Sequence, residues 1–136
     1  MDGLRLIITG KSRSGKSTAL HRLVKIALSG IWAGVLIADG KSVELYRYAN
    51  DSLRVYGEDD PESFTIALEN YADRLILRYK SLRERGLQKA LDTDKRELII
   101  IDEIQEFTRH PKFGKRVRPA LIRIFEKCAA LNDVVI

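Results

Sequence analysis

The chain has 136 residues, with 24 Lys and Arg against 19 Asp and Glu, for a net charge of +5. One domain is expected at that length, and the 45% apolar share is enough for a packed core. No apolar run approaches the ~20 residues a membrane-spanning helix needs, and the single cysteine, Cys128, excludes an intrachain disulfide; with no basic n-region in MDGLRLIIT, a reducing cytoplasm is expected.

Residues 4–9 (LRLIIT) form a near-continuous apolar run, as a strand buried on both faces would. TGKSRSGKST follows at once, and Gly10, Gly15, Lys16 and Ser17 fit G-x-x-x-x-G-K-[ST] without a gap. The chemistry explains the spacing. Glycines let backbone approach an anion closely, and successive N–H groups form a concavity that the following helix dipole reinforces. The nucleotide-binding set is Gly10, Lys11, Ser12, Arg13, Ser14, Gly15, Lys16, Ser17 and Thr18. Lys16 is expected on the β- and γ-phosphates of ATP and the Ser17 hydroxyl on Mg2+. The competing reading is a plain Gly/Ser surface loop. By chance the pattern arises in on the order of one chain in two hundred of this length, and it stands here between strand and helix signals.

Residues 17–29 have helical periodicity through Leu20, Leu23, Val24, Ala27 and Leu28, with Gly30 as the expected stop. VLIA at 35–38 reads as a second short buried strand, 43–48 as a helical turn and 53–56 as an edge strand. Asp60-Pro61 is a helix start, with an N-cap carboxylate and Pro at the first helical position. That helix is expected to run to about Arg85, carrying Phe64, Leu68, Tyr71, Leu75, Tyr79 and Leu82 on one side, with Gly86 as its end. Residues 89–96 are polar and read as a loop, and LIII at 98–101 as the third buried strand. A basic loop, RHPKFGKRVR at 109–118, then precedes a helix at about 119–131 that opens on Pro119. DVVI at 133–136 reads as the start of a fourth strand. Strands alternating with helices predict an α/β fold with a mostly parallel sheet and helices on both faces. The sequence stopping inside an apolar strand leads us to expect an incomplete core that lacks a last strand.

LIIIDEIQEF supplies the other half of a nucleotide site. Asp102, at the C-terminal edge of its strand, is placed to hold Mg2+. Glu103, one residue on, is placed to orient and deprotonate an attacking water. The alternative is a strand that merely ends in solvated acids. A DE pair also argues against a small-molecule kinase, which has no need of a water-activating carboxylate.

IITGKSRSGKST, VLIADGKSVEL, RLILRYKSLRERG, LIIIDEIQEF and GKRVRPALIRIFEKCAAL occur in the order seen in FtsK/HerA-type ATPases, and the chain resembles that family over nearly its whole length. The Asp39-Gly40-Lys41 turn followed by Glu44-Leu45 resembles the family's Asp-Pro-Lys turn, with Gly40 in place of proline. The resemblance implies a P-loop NTPase of the RecA-like, additional-strand class. Its sheet order, for the strands named above, would be 1-4-3-2. It also implies an ATP- and Mg2+-dependent motor that moves double-stranded DNA, working as a homo-oligomer, a hexameric ring when complete. The family's polar sensor at the end of the fourth strand and its winged-helix module have no counterpart in these residues.

Within the basic segment, Lys115, Arg116 and Arg118 are the candidate contacts to DNA phosphates, since sequence-independent binding needs only cations; a solvated loop is the competing reading. Arg123 is a candidate contact to a neighbour's nucleotide. Arg74, Arg78, Lys80, Arg83 and Arg85 read as the wet face of an amphipathic helix, and His21 as an exposed helix residue outside any metal pattern. Trp32, Tyr46, Tyr48, Tyr71 and Tyr79 read as packing residues and Cys128 as core. A nucleotide-dependent switch or binding module without motor activity is the alternative function.

Overall fold

The computed structural model describes residues 4–5 and 15–136. Residues 6–14, which carry most of the first predicted strand and the candidate nucleotide-binding residues Gly10, Lys11, Ser12, Arg13 and Ser14, lie outside the described residues.

Among the described residues, five strands form one parallel sheet: β1 (Leu4–Arg5), β2 (Gly34–Asp39), β3 (Val55–Gly57), β4 (Glu97–Asp102) and β5 (Val134–Val135), in the order β1-β5-β4-β2-β3. The last strand is therefore inserted between the first strand and the DE strand, pairing Leu4 with Val134 on one side and Leu98 with Val134 on the other. This is the expected order 1-4-3-2 with β3 added at the far edge, where the apolar run at 53–56 suggested an edge strand. Hydrogen bonding to β4 continues one residue past β5, with Ile136 N–H donating to Ile99 and Ile101 N–H to Ile136.

A parallel sheet needs cover on both faces, and alternation along the strands supplies an apolar set for each. Ile37, Leu98, Ile100 and Val134 point to one face, where Leu20, Val24 and Ala27 of α1 (Lys16–Leu28) pack on them. Ala38, Ile99 and Val135 point to the other, under α2 (Pro61–Glu84) and α4 (Gly114–Lys127). Phe64, Leu68, Tyr71, Ala72, Leu75 and Leu82 of α2 are buried there against Val117, Ala120, Leu121 and Ile124 of α4. Cys128 is core, as expected. Asp60 caps α2 by accepting from Ser63 N–H, and Gly86 beyond its end takes a left-handed conformation. The predicted turn at 43–48 is a short 3-10 turn at Tyr46–Tyr48.

Two expectations are corrected. The basic segment is not a loop running up to Pro119. A short helix, α3 (Ile104–Thr108), follows the DE strand, and α4 begins at Gly114, with Pro119 inside it. Lys115, Arg116 and Arg118 therefore lie on a helix. Its buried face, Phe113-Val117-Leu121-Ile124, starts before the proline, and this apolar spacing outweighs the one hydrogen bond that Pro119 cannot donate. Secondly, Arg74 and Arg78 do not only face water. Arg78 pairs with Asp133 (2.8 Å) and Glu97 (3.2 Å), and Arg74 with Glu97 (2.9 Å), at the N-terminal ends of β4 and β5.

Candidate nucleotide site

The C-terminal ends of β2 and β4 lie side by side, with Asp39 opposite Asp102 in register. Ligands of open α/β sheets bind at this end, and the two carboxylates there have different fates. Asp39 is fully buried and accepts three backbone N–H groups, from Lys41 (3.0 Å), Val43 (3.0 Å) and Leu45 (2.8 Å). It is the structural cap of the turn that follows β2. Gly40 donates its N–H to the Asp102 carbonyl (3.0 Å), a bond proline could not make. A Cβ at Gly40 would meet the Glu103 carbonyl oxygen at 2.5 Å, so the two strand ends approach as closely as they do only because this residue is glycine.

Asp102 keeps its carboxylate for the site. Its Oδ1 accepts the Glu103 N–H (3.0 Å) and lies 3.9 Å from Lys16 Nζ. Burial pushes its carboxyl above the usual range, and the Asp39 and Glu103 charges add to that; Lys16 and the Glu103 N–H pull back without cancelling it.

Glu103 has φ 53° and ψ 48°, a left-handed conformation that costs a non-glycine residue about 1–2 kcal/mol. Surrounding bonds hold it there. Lys41 Nζ sits 3.2 Å and Lys16 Nζ 3.6 Å from Oε1, and the Gln105 amide donates to Oε2. Burial raises its carboxyl, but the Lys41 hydrogen bond and the two lysine charges outweigh that and leave it below the ordinary value.

Lys16 opens α1 after Gly15, whose φ of 83° is the left-handed turn that swings the chain into the helix. Ser17 and Thr18 follow in the first turn of α1. Lys16, Asp102, Glu103 and Gln105 line a cleft whose apolar wall includes Leu20 and Phe125. Among the predicted site residues, Lys16, Asp102 and Glu103 are thus brought together. The basic residues on α4 are not lining residues of this cleft, and two of them have acidic partners: Arg116 pairs with Glu69 and Arg123 with Asp73 (3.1 Å), both on α2.

Sequence reasoning did not assign Lys41 and Gln105 to Glu103. Lys41 stands two residues past β2, so only the β2–β4 pairing reveals that it reaches the DE strand. It also took His21 as exposed. Its side chain is only 16% exposed, lodged between Glu44 and Tyr48.

The donor set suits Mg2+. The ion takes one or two protein oxygens and completes its shell with water and phosphate. The Asp102 carboxylate, which lies beside Lys16, and the Ser17 hydroxyl, one residue after Lys16 and donating to Glu44 (3.4 Å), are oxygens of that kind, and no group of three or more His, Cys, Asp or Glu among the described residues offers a closed metal cage.

None of the described helices is long and apolar enough to cross a membrane. A comparison with curated proteins found no match. A comparison with family models matched residues 2–133 to the AAA domain. With nearly the whole chain covered and the strands in this order, the protein belongs to the AAA domain family of P-loop NTPases, a family of nucleotide-binding and nucleotide-hydrolysing domains.

Proposed function

We propose that the domain binds ATP with Mg2+, hydrolyses it, and uses the cycle to move duplex DNA as an FtsK/HerA-type motor. One observation supports the hydrolytic part most directly: Lys16 Nζ lies within 3.9 Å of Asp102 and 3.6 Å of Glu103, so the phosphate-binding cation and both acids of the DE strand meet at one point. Mg2+, when bound, would offset the negative charge that develops on the phosphates. Asp102 and the Ser17 hydroxyl would hold it. Lys16 leaves its acidic neighbours for the phosphates. Glu103, fixed by Lys41 and Gln105, then orients the attacking water and takes its proton.

The motor part rests on the order of the five motifs and on the cations between Arg109 and Arg118. In this reading each site is completed by a neighbour in a ring of identical subunits. A switch without turnover would share the binding residues and lack the hydrolysis.

The test pairs two variants. Lys16→Ala should lose ATP affinity by isothermal titration, since it removes a side-chain cation expected on the β- and γ-phosphates. Glu103→Gln should keep that affinity and lower turnover by on the order of a hundredfold or more, because Gln keeps the shape and loses the base. Unchanged affinity in the first would remove the phosphate-loop assignment. Near-wild-type turnover in the second would remove Glu103 as the base. Turnover with and without duplex DNA, alongside a size measurement, separates motor from switch.

A further inference from the structure

Ser17 and His21 stand one turn apart on α1 and so share a helix face. Glu44, on the turn after β2, meets both. The Ser17 hydroxyl donates to Glu44 Oε1 (3.4 Å), and His21 Nε2 lies 2.9 Å from Glu44 Oε2. A carboxylate can only accept, so Nε2 carries a proton and donates to Glu44; the Tyr48 hydroxyl lies 2.9 Å from Nδ1 and also reaches the His21 carbonyl at 3.5 Å. The turn that carries Glu44 is itself fixed, because its amides at 41, 43 and 45 are bound by the buried Asp39 carboxylate. Four side chains thus run in one line, Tyr48 to His21 to Glu44 to Ser17, and end on the hydroxyl expected to hold the metal.

A hydroxyl has one proton and two lone pairs. Giving the proton to Glu44 leaves both lone pairs available and makes the oxygen a better donor to a hard cation. We propose that Glu44 is a positioning residue for the Mg2+ site: held by His21 and Tyr48, it accepts the Ser17 proton, turns the lone pairs of Ser17 to the ion, and adds a negative charge to the ion's outer shell. The inference rests on the nucleotide-site reading above. A network that only tied α1 to the turn would affect folding and leave metal affinity alone.

The experiment measures Mn2+ binding to the complex of the whole chain with ADP by electron paramagnetic resonance, and ADP affinity in EDTA by isothermal titration. Glu44→Gln should weaken Mn2+ binding by on the order of tenfold and leave ADP affinity in EDTA unchanged. Tyr48→Phe, which removes one hydroxyl at the far end of the line, should give a smaller shift of the same sign. Should Glu44→Gln fail to fold, Tyr48→Phe decides alone. Wild-type Mn2+ affinity in the folded variants, with ADP still bound, overturns the role of Glu44 and leaves the nucleotide site standing. Failure of the wild type to bind ADP at all removes that site and the inference with it.

Discussion

Asp133 is fully buried one residue before β5, and three groups answer its charge. Arg78 reaches both its oxygens at 2.8 Å, the Tyr71 hydroxyl donates to Oδ2, and the Glu97 N–H donates to Oδ1 at 2.9 Å. Burial and the Asp133 charge push the Tyr71 hydroxyl far above its ordinary pKa, so it stays a donor at every working pH. Arg78 binds both oxygens of Asp133, and a buried carboxylate stripped of such a cation is expensive. Arg78→Met should therefore destabilise the domain by about 3–5 kcal/mol. In urea this appears as a lower midpoint at unchanged slope. A loss under about 1 kcal/mol would mean that the Tyr71 hydroxyl and the Glu97 amide suffice. Nothing near Arg78 in the sequence announces this role. Its partners lie 19 and 55 residues away, and the cations around it spell an ordinary solvated helix face. Lys16, Asp102 and Glu103 were legible because their spacing is dictated by phosphate and metal chemistry within short stretches of chain.

At the scale of elements, α2 has its start written twice, in the Asp60 cap and in Pro61 at its first position. The Ser63 hydrogen bonds and the Arg54 guanidinium hold the Asp60 carboxyl below its ordinary value of 3.8, against a smaller upward push from burial. A carboxylate with a depressed pKa adds stability that is present above its unfolded value and is lost as the pH falls through the lower, folded one. Asp60→Asn keeps an equally good cap and removes only the charge. The variant should melt below wild type at pH 7, and the gap should close as the pH falls below 3.8, in thermal scans down to the lowest pH at which both fold. A gap independent of pH would assign the effect to cap geometry rather than charge. The strands β2 and β4 and the helices α1 and α2 were equally plain, since each carries an uninterrupted apolar pattern between strong stop signals. The start of α4 was hidden by two local signals that point the wrong way. Pro119 imitates a first helical position, and Lys115 and Arg116 place cations at a helix N-terminus, where the dipole disfavours them. The structure offsets the second of these by pairing Arg116 with Glu69 across to α2.

On the scale of the whole molecule, the insertion of β5 between β1 and β4 came from family resemblance, because a strand's apolar pattern says which faces are buried and nothing about its neighbours. The same limit applies to the basic surface. The sequence gives five cations without an acid between Arg109 and Arg118, but only packing tells which remain available. Arg116 is spent on Glu69, while Lys115 and Arg118 are exposed on the side of α4 away from Val117, Leu121 and Ile124. If this surface meets duplex phosphates, Lys115→Ala with Arg118→Ala should weaken DNA binding about equally for unrelated sequences. It should also flatten the dependence of log affinity on log salt by up to about one unit per lost contact. Arg116→Ala should change that slope less, since its charge is already matched, and ATP affinity without DNA should stay near wild type in both, because none of the three lines the cleft beside Lys16. Fluorescence anisotropy with two unrelated duplexes across a salt series reads all of this. An unaltered slope in the double variant would make the surface a solvated helix face, and a slope that falls most in Arg116→Ala would mean that DNA displaces Glu69 and that the ion pair between α2 and α4 opens on binding.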